Sequence, residues 1–295
     1  MIAGCGRKDS SYMKNILIVP NQSKDRDLCT STRVAELLKS KGATVLVESK
    51  YSTDLTGNAI VADVIPDSID LILVVGGDGS VIDASVLAVE LDIPILGVNL
   101  GNLGYLAEVE PSELDALNGL FTGEYKIEQK MLLSVSVTSA NEVKTSQRLA
   151  LNDVIISHET YVGLAELSLK NSHGSGVKYR ADGLILSTPV GSTAYSLSAG
   201  GPIVSHDIDS ILVTPICPHA FFNRSVIFKP TEEITVCNNG GSALNVTVDG
   251  RFFAKLAPEE ACTVRASEKR VKMLTFTENN LFATLFGKMR KIEKI

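Results

Sequence analysis

Two domains of different architecture are predicted: an N-terminal α/β domain built on a parallel, Rossmann-like sheet, and a mostly antiparallel, all-β, sandwich-like C-terminal domain. Three observations carry the prediction. From residue 14 to about 110, continuous apolar runs of strand length alternate with helix-patterned stretches. Strands apolar on both faces belong in a parallel sheet covered on both sides. After about residue 125 the hydrophobic period becomes two, as in strands with one face buried. Finally, 295 residues are more than one small core usually serves, yet few for three domains. The pattern changes place a flexible extension at 1–12, the α/β domain at 13–120, the β-rich domain at 121–277, and a C-terminal helix with a basic tail at 278–295.

Asn15–Pro20 reads as the first buried strand. Ser31 or Thr32 caps a helix whose Val34, Leu37 and Leu38 follow i, i+3, i+4 spacing, and Gly42 closes it. Strands follow at Ala43–Glu48, Leu71–Val75 and Ile93–Val98, with a helix over Ser80–Glu90. In the second half, Leu133, Val135 and Val137 alternate with Ser134, Ser136 and Thr138, as Leu244, Val246 and Val248 do with Asn245, Thr247 and Asp249. Pro189 and Gly191 break a strand ending at Thr188, and Ser192 or Thr193 starts a short helix. Asn279–Lys294 regains helical character; its Lys288, Arg290, Lys291 and Lys294 make a solvated terminal helix.

The 28 Lys+Arg against 34 Asp+Glu leave a net charge of −6. That argues against a dedicated nucleic-acid binder, which carries a basic face, but leaves anionic ligands open. No apolar run approaches the ~20 residues that span a bilayer. The opening Met-Ile-Ala-Gly-Cys-Gly has only four residues before Cys5, without the basic and apolar regions that direct export. The five cysteines are scattered and form no Cys-x-x-Cys, so a reduced, cytoplasmic protein without a zinc site is expected. His158-Glu159 lacks a second histidine, since Val162 stands in its place, and no Gly-x-Ser-x-Gly elbow occurs.

The chemistry concentrates in Val74-Val75-Gly76-Gly77-Asp78-Gly79-Ser80, where a buried strand runs into a glycine turn and a helix. Glycines let backbone approach a ligand, and helix amides receive phosphate. The dinucleotide fingerprint fails because Ile82 stands at the third glycine position, and no Walker A motif exists. Asp78 is the anomaly. A carboxylate ~4 Å from a phosphate oxygen costs about 4 kcal/mol at an effective dielectric of 20. It makes sense if Mg²⁺ lies between the charges, or if it accepts a proton from a hydroxyl attacking the phosphate. The competing reading is that Asp78 caps the helix starting at Ser80.

Further along, Asn152 and Asp153 precede Val-Ile-Ile; at a strand mouth they grip ribose hydroxyls, or else form an Asx turn. Thr193-Ala194-Tyr195-Ser196-Leu197-Ser198 offers amides and hydroxyls to purine edges and a Tyr195 ring to stack on a base; the alternative is a polar turn with Tyr195 as core filler. Arg180 and Lys178, ahead of Asp182, either bring positive charge to a ligand or are surface charges.

Gly-Gly-Asp-Gly-Ser after a buried strand resembles the phosphate loop shared by NAD kinases, 6-phosphofructokinases and diacylglycerol-type lipid kinases. The blocks that follow choose among them: Asn99-Leu-Gly-Asn-Leu-Gly-Tyr105-Leu, Leu151-Asn152-Asp153-Val, Ala181 through Pro202, Thr214-Pro-Ile-Cys-Pro-His219 and Val248-Asp249-Gly250 are similar to NAD kinases, in that family's order. The resemblance implies transfer of the ATP γ-phosphoryl group to the 2′-hydroxyl of NAD's adenosine ribose, giving NADP, with polyphosphate as another donor for the family. It implies Mg²⁺ or another divalent metal, a site between the domains, and a cytoplasmic homodimer or homotetramer without nucleic-acid or membrane partners. The aspartate matching Asp78 is the proton acceptor. The positions matching Asn152 and Asp153, Asp182, and Thr193, Ala194, Tyr195, Ser196, Leu197 and Ser198 hold the dinucleotide. From the residues themselves, Gly77, Asp78 and Gly79 form the phosphate loop, and Arg180 and Arg251 are candidate ligand contacts, left open at Arg180 by the surface-charge alternative and at Arg251 by the departure from the family's glutamine. Departures from the family pattern are Ser80 for threonine, Tyr105 for phenylalanine, and Arg251 where glutamine is frequent. The competing functions are a diacylglycerol-type lipid kinase and a non-catalytic NAD-binding sensor; intact Asp78 speaks against the sensor.

Overall fold

The structure, a computed structural model, describes residues 13–51, 59–101, 105–139, 142–158, 163–174, 176–219 and 223–277. The extension at 1–12 and the helix over Asn279–Lys294 expected from the sequence lie outside the described residues. The chain forms two compact units, 1–128 with 272–295, and 129–271. The limits of these units fall within two long strands, Lys126–Ser139 and Ala261–Thr275.

The first unit contains β1 (Asn15–Pro20), α1 (Cys29–Ser40), β2 (Thr44–Glu48), β3 (Ile60–Ala62), β4 (Leu71–Gly76), α2 (Asp78–Glu90), β5 (Ile95–Asn99) and the one-turn α3 (Gly119–Thr122). Its sheet runs β5-β4-β1-β2-β3, parallel throughout, and Met273 on the returning chain pairs in parallel with Ile95. Every residue of β4 is buried, as an apolar run covered on both faces requires. Ile16, Ile18, Leu71, Leu73, Val75, Leu96 and Val98 form one core with Val34, Ala35 and Leu38 of α1.

Both helices begin earlier than their sequence signals. Asp27 and Leu28 take left-handed φ values of 54° and 49°, and α1 starts at Cys29. Its amides are satisfied by the buried Asp25 carboxylate, which accepts from Thr30 N at 2.9 Å, Ser31 N at 2.8 Å and Ser31 Oγ at 2.6 Å. Neither Ser31 nor Thr32 is the cap. Likewise α2 starts at Asp78, with an extended Gly77 before it. β5 starts at Ile95 because Asp92 turns through φ 55° and Pro94 lacks a donor.

Gly97 in β5 is where the segment after it packs closest: a Cβ there would stand 2.7 Å from Ala107 Cα and 2.9 Å from Val81 Cγ2. Gly97→Ala should therefore destabilise the protein by about 1–3 kcal/mol, the usual cost of overpacking. Urea unfolding measures it; an unchanged midpoint would refute the crowding.

The second unit is a sandwich of antiparallel sheets. Its strands are β6 (Lys126–Ser139), β7 (Glu142–Ala150), β8 (Asp153–His158), β9 (Ala165–Lys170), β10 (Gly176–Ala181) and β11 (Gly183–Ser187). After a 3₁₀ turn (Gly191–Thr193) and the short α4 (Tyr195–Ser198) come β12 (Ile211–Ile216), β13 (Val226–Phe228), β14 (Glu233–Asn238), β15 (Leu244–Val248), β16 (Arg251–Leu256) and β17 (Ala261–Thr275). One sheet is ordered β13-β12-β11-β8-β15-β16; the other contains β10-β9-β14-β17 and the β6–β7 hairpin. Period-two residues from both sheets, among them Leu133, Val135, Ile156, Leu167, Val236, Leu244, Val246 and Val248, meet in one core.

Candidate active site

In the first unit the loops at the carboxyl ends of β1, β4 and β5 meet, the edge where open parallel sheets bind ligands. Asn21 organises them. Its N donates to Val75 O at 2.8 Å and its Nδ2 to Ser80 Oγ at 2.7 Å. Its Oδ1 accepts from Ser23 N, Ser23 Oγ and Lys24 N. Leu100 N donates to Gly76 O at 2.7 Å, tying the third loop in. Gly76 has no room for a side chain, since a Cβ would lie 2.5 Å from Ser80 Oγ. Gly79 faces open space, with nothing within 4 Å of where a Cβ would be. Ser80 N and Val81 N close the first turn of α2 onto Gly77 O at 2.9 and 3.2 Å, which leaves the Asp78 and Gly79 amides as the helix-start donors without an intrahelical acceptor.

Asp78 does not cap α2, whose first turn takes no side-chain cap. Its carboxylate instead grips a separate segment: Oδ2 accepts from Tyr105 N at 2.7 Å, and Oδ1 from Leu106 N at 3.0 Å and Ala107 N at 3.2 Å. Burial, and then the Asp78 charge, raise the Tyr105 hydroxyl above its ordinary pKa. Asn99, buried, donates from Nδ2 to Glu110 Oε1 at 3.1 Å and accepts from Gly101 N at 2.9 Å. Residues 102–104 of this block lie outside the described residues.

The second unit repeats the device. Asp249, at φ 49°, accepts from Leu151 N and Asn152 N, each at 2.8 Å, and from Asp153 N at 3.0 Å; its own N donates to Asp153 O at 2.9 Å. Asn152 and Asp153 thus form no Asx turn of their own; their amides are held by a distant carboxylate. Thr188 N donates to Asn152 O at 2.9 Å, Thr188 Oγ1 to Leu151 O at 2.6 Å, and Gly191 N to Thr188 Oγ1 at 3.0 Å. A side chain on Gly191 would collide with the Asn152 carbonyl. Asn152, Asp153 and the turn entering α4 are consequently one knot.

Asp153 is buried, and among the described residues no group hydrogen-bonds to its carboxyl or to the Asn152 side chain. Burial, and secondarily the charge of Asp249, push the Asp153 carboxyl up to about 7. Burial also raises Asp249, against the lowering pull of its three amides and Arg148.

On α4 the roles separate. Tyr195 is 45% exposed and so is no core filler. Leu197 and Ser198 are exposed too. Ser196 is buried, bonded through Oγ to Thr214 Oγ1 at 2.9 Å, and braces the turn. Thr193 Oγ1 donates to Val190 O at 3.1 Å, and Ala194, at φ −96° and ψ −129°, directly precedes α4. Asp182 and Arg251 are exposed, Arg251 opening β16 directly after the Asp249-Gly250 turn. Arg180 pairs with Glu166 at 3.6 Å with both side chains exposed, a surface pair of little energetic weight. Two residues the sequence reading assigned no role stand out: Asp249, quoted only as part of a motif, and Lys24, whose surroundings carry no local signature.

Residues 16–125 match the family model of the ATP-NAD kinase N-terminal domain, and residues 151–276 that of the ATP-NAD kinase C-terminal domain. The chain is 35% identical over 286 residues to an NAD kinase of Lachnoclostridium phytofermentans, covering 92% of this chain and 98% of that protein. It is 36% identical over 281 residues to one of Geobacter sulfurreducens, covering 94% and 99%. Among solved structures, yeast NADH kinase complexed with NADH superposes with TM-score 0.81 at 23% identity, over 94% of this chain and 87% of that one. An NAD kinase from Archaeoglobus fulgidus in complex with ATP gives TM-score 0.71 at 24% identity, over 94% and 99%. At these identities the two structures establish the fold.

Proposed function

The chain belongs to the NAD kinase family and is a phosphotransferase with an alcohol acceptor; from that premise we propose that Asp78 accepts the proton as the 2′-hydroxyl of NAD's adenosine ribose attacks the γ-phosphorus of ATP. The observation that carries this is the fixed Asp78 carboxylate beside the open face of Gly79. A carboxylate offers about four lone-pair sites; three are filled by amides, which leaves one on Oδ2 for the substrate hydroxyl. The amides also immobilise the group, so no reorganisation is needed when the proton moves. The amides of Gly77, Asp78 and Gly79 receive phosphate oxygens.

Among the described residues no group of three His, Cys, Asp or Glu side chains could hold a metal ion. We assign the divalent cation to the triphosphate that carries it, because Mg²⁺ is usually held by substrate phosphates, water and one or two carboxylates. On the NAD side, Asn152 and Asp153 hold ribose hydroxyls, and Tyr195 stacks on a ring of the dinucleotide, with Thr193, Ala194, Leu197, Ser198, Asp182 and Arg251 around it. Arg180, tied to Glu166, contributes background charge only. A cytoplasmic homodimer or homotetramer is part of the same proposal. Among the described residues no helix is long and apolar enough to cross a membrane.

Purified protein incubated with NAD, Mg²⁺ and either ATP or polyphosphate should form NADP, measured enzymatically; ATP alone supporting turnover would fix the donor. Absence of NADP with both donors would overturn the reading. Because Tyr195 is exposed, Tyr195→Ala should leave folding intact and raise KM for NAD by ~5- to 10-fold, the scale of one lost aromatic contact. KM for ATP should stay within about twofold; equal rises in both would remove Tyr195 from the NAD site.

A further inference from the structure

A phosphate loop carrying an aspartate needs a resident positive charge, and the chain supplies one outside the loop. The Lys24 ammonium lies against the glycine backbone: a Cβ on Gly77 would stand 2.5 Å from Lys24 Nζ, and one on Gly101 3.6 Å from it. The space left by two absent side chains, one after β4 and one after β5, is where this charge sits. We propose that Lys24 builds a phosphate subsite, its ammonium binding a phosphate oxygen of the triphosphate donor over the Gly77–Gly79 backbone; this rests on the kinase reading above.

Three further observations support the assignment. Lys24 is held in place: its N donates to Asn21 O at 3.0 Å and to Asn21 Oδ1, and the same Asn21 side chain donates to Ser80 Oγ in the first turn of α2. The lysine loop and the phosphate loop are therefore tied by one residue. The ammonium is also uncommitted, since among the described residues no carboxylate or other acceptor pairs with it. The nearest carboxylate in sequence, Asp25, is buried and spends both oxygens on Thr30 and Ser31. Asp78, finally, turns its carboxylate onto the amides of 105–107, so the attraction of Lys24 for phosphate is not cancelled by a direct ion pair between them. A compact ammonium on a flexible stem suits a phosphate oxygen that shifts during transfer.

The test is steady-state kinetics of Lys24→Met and Lys24→Arg beside the unaltered chain. Losing a charged hydrogen bond should raise KM for ATP by ~10-fold or more in Lys24→Met. KM for NAD should stay within about twofold, and the melting temperature should hold because Lys24 is exposed. Lys24→Arg should recover part of the ATP affinity. Inorganic tripolyphosphate, competing with ATP, should inhibit Lys24→Met less than the unaltered chain. An unchanged KM for ATP and unchanged inhibition in Lys24→Met, or equal losses for ATP and NAD, would overturn the subsite while the unaltered chain still makes NADP. An unaltered chain making no NADP would overturn the kinase reading instead.

Discussion

Asp78→Asn should lower kcat by ~10²-fold or more, because general-base catalysis typically supplies about 10²–10⁴. The substitution also has a structural cost that follows from the geometry. Asparagine can keep Oδ1 as acceptor for Leu106 N and Ala107 N, but its NH₂ then faces Tyr105 N, donor against donor. One unsatisfied amide at that contact costs about 1–3 kcal/mol. A lower melting temperature is thus expected alongside the lost rate, and the two are separable. If Asp78 only braced residues 105–107, folded Asp78→Asn protein below its transition would keep more than about a tenth of the original kcat, a loss too small for an essential base. Measuring kcat per folded molecule, with folding followed by circular dichroism, decides between base and brace.

Asp153→Asn should stabilise the protein at pH 8 while weakening NAD binding. Asp153 rises from 3.8 to about 7 on folding, through burial and then the charge of Asp249. Between those values the native state holds a proton that the unfolded chain releases. The stability tied to this group is fully present below about pH 4 and is lost as pH climbs through 7. The raised Asp249 acts in the same direction. The original chain should therefore lose stability from pH 5 to pH 8. Asp153→Asn should show a shallower slope and gain about 2 kcal/mol or more at pH 8, given about 1.4 kcal/mol per unit shift. KM for NAD should rise by ~10-fold, because asparagine offers a ribose hydroxyl one acceptor and no charge. Parallel stability-against-pH curves for the two proteins would refute the buried carboxyl pair. A buried acid retained at such a cost is the expected signature of a binding residue.

The two units share one device. In each, an aspartate followed by glycine uses both carboxylate oxygens to hold three consecutive backbone amides of another segment. In the first, the aspartate itself stands at the candidate reaction centre. In the second, it holds the Asn152-Asp153 pair proposed to bind the dinucleotide. Charge-assisted bonds of this kind are the strong ones, and three on one group leave it little freedom.

The fold class was legible in the sequence because hydrophobic period is a local quantity. β4 reads as continuous apolar residues and is buried throughout; Leu244, Val246 and Val248 alternate and are the buried residues of β15. The family was legible because its motifs are short and ordered along the chain. Helix starts were misplaced where the satisfying group was not the nearest capping residue, as with Asp25 for α1. What Asp78 does could not be read from its neighbours, since its partners lie 27 to 29 residues on. Asp249 reaches back 96 to 98 residues, and Lys24 meets Gly77 only because β1 and β4 are parallel neighbours. Periodicity and motif order determine which elements form and which family they serve. Strand pairing alone decides which distant amide, carboxylate or ammonium ends up within 3 Å of another, because hydrogen bonds and charges act through space while sequence spacing records only the path along the chain.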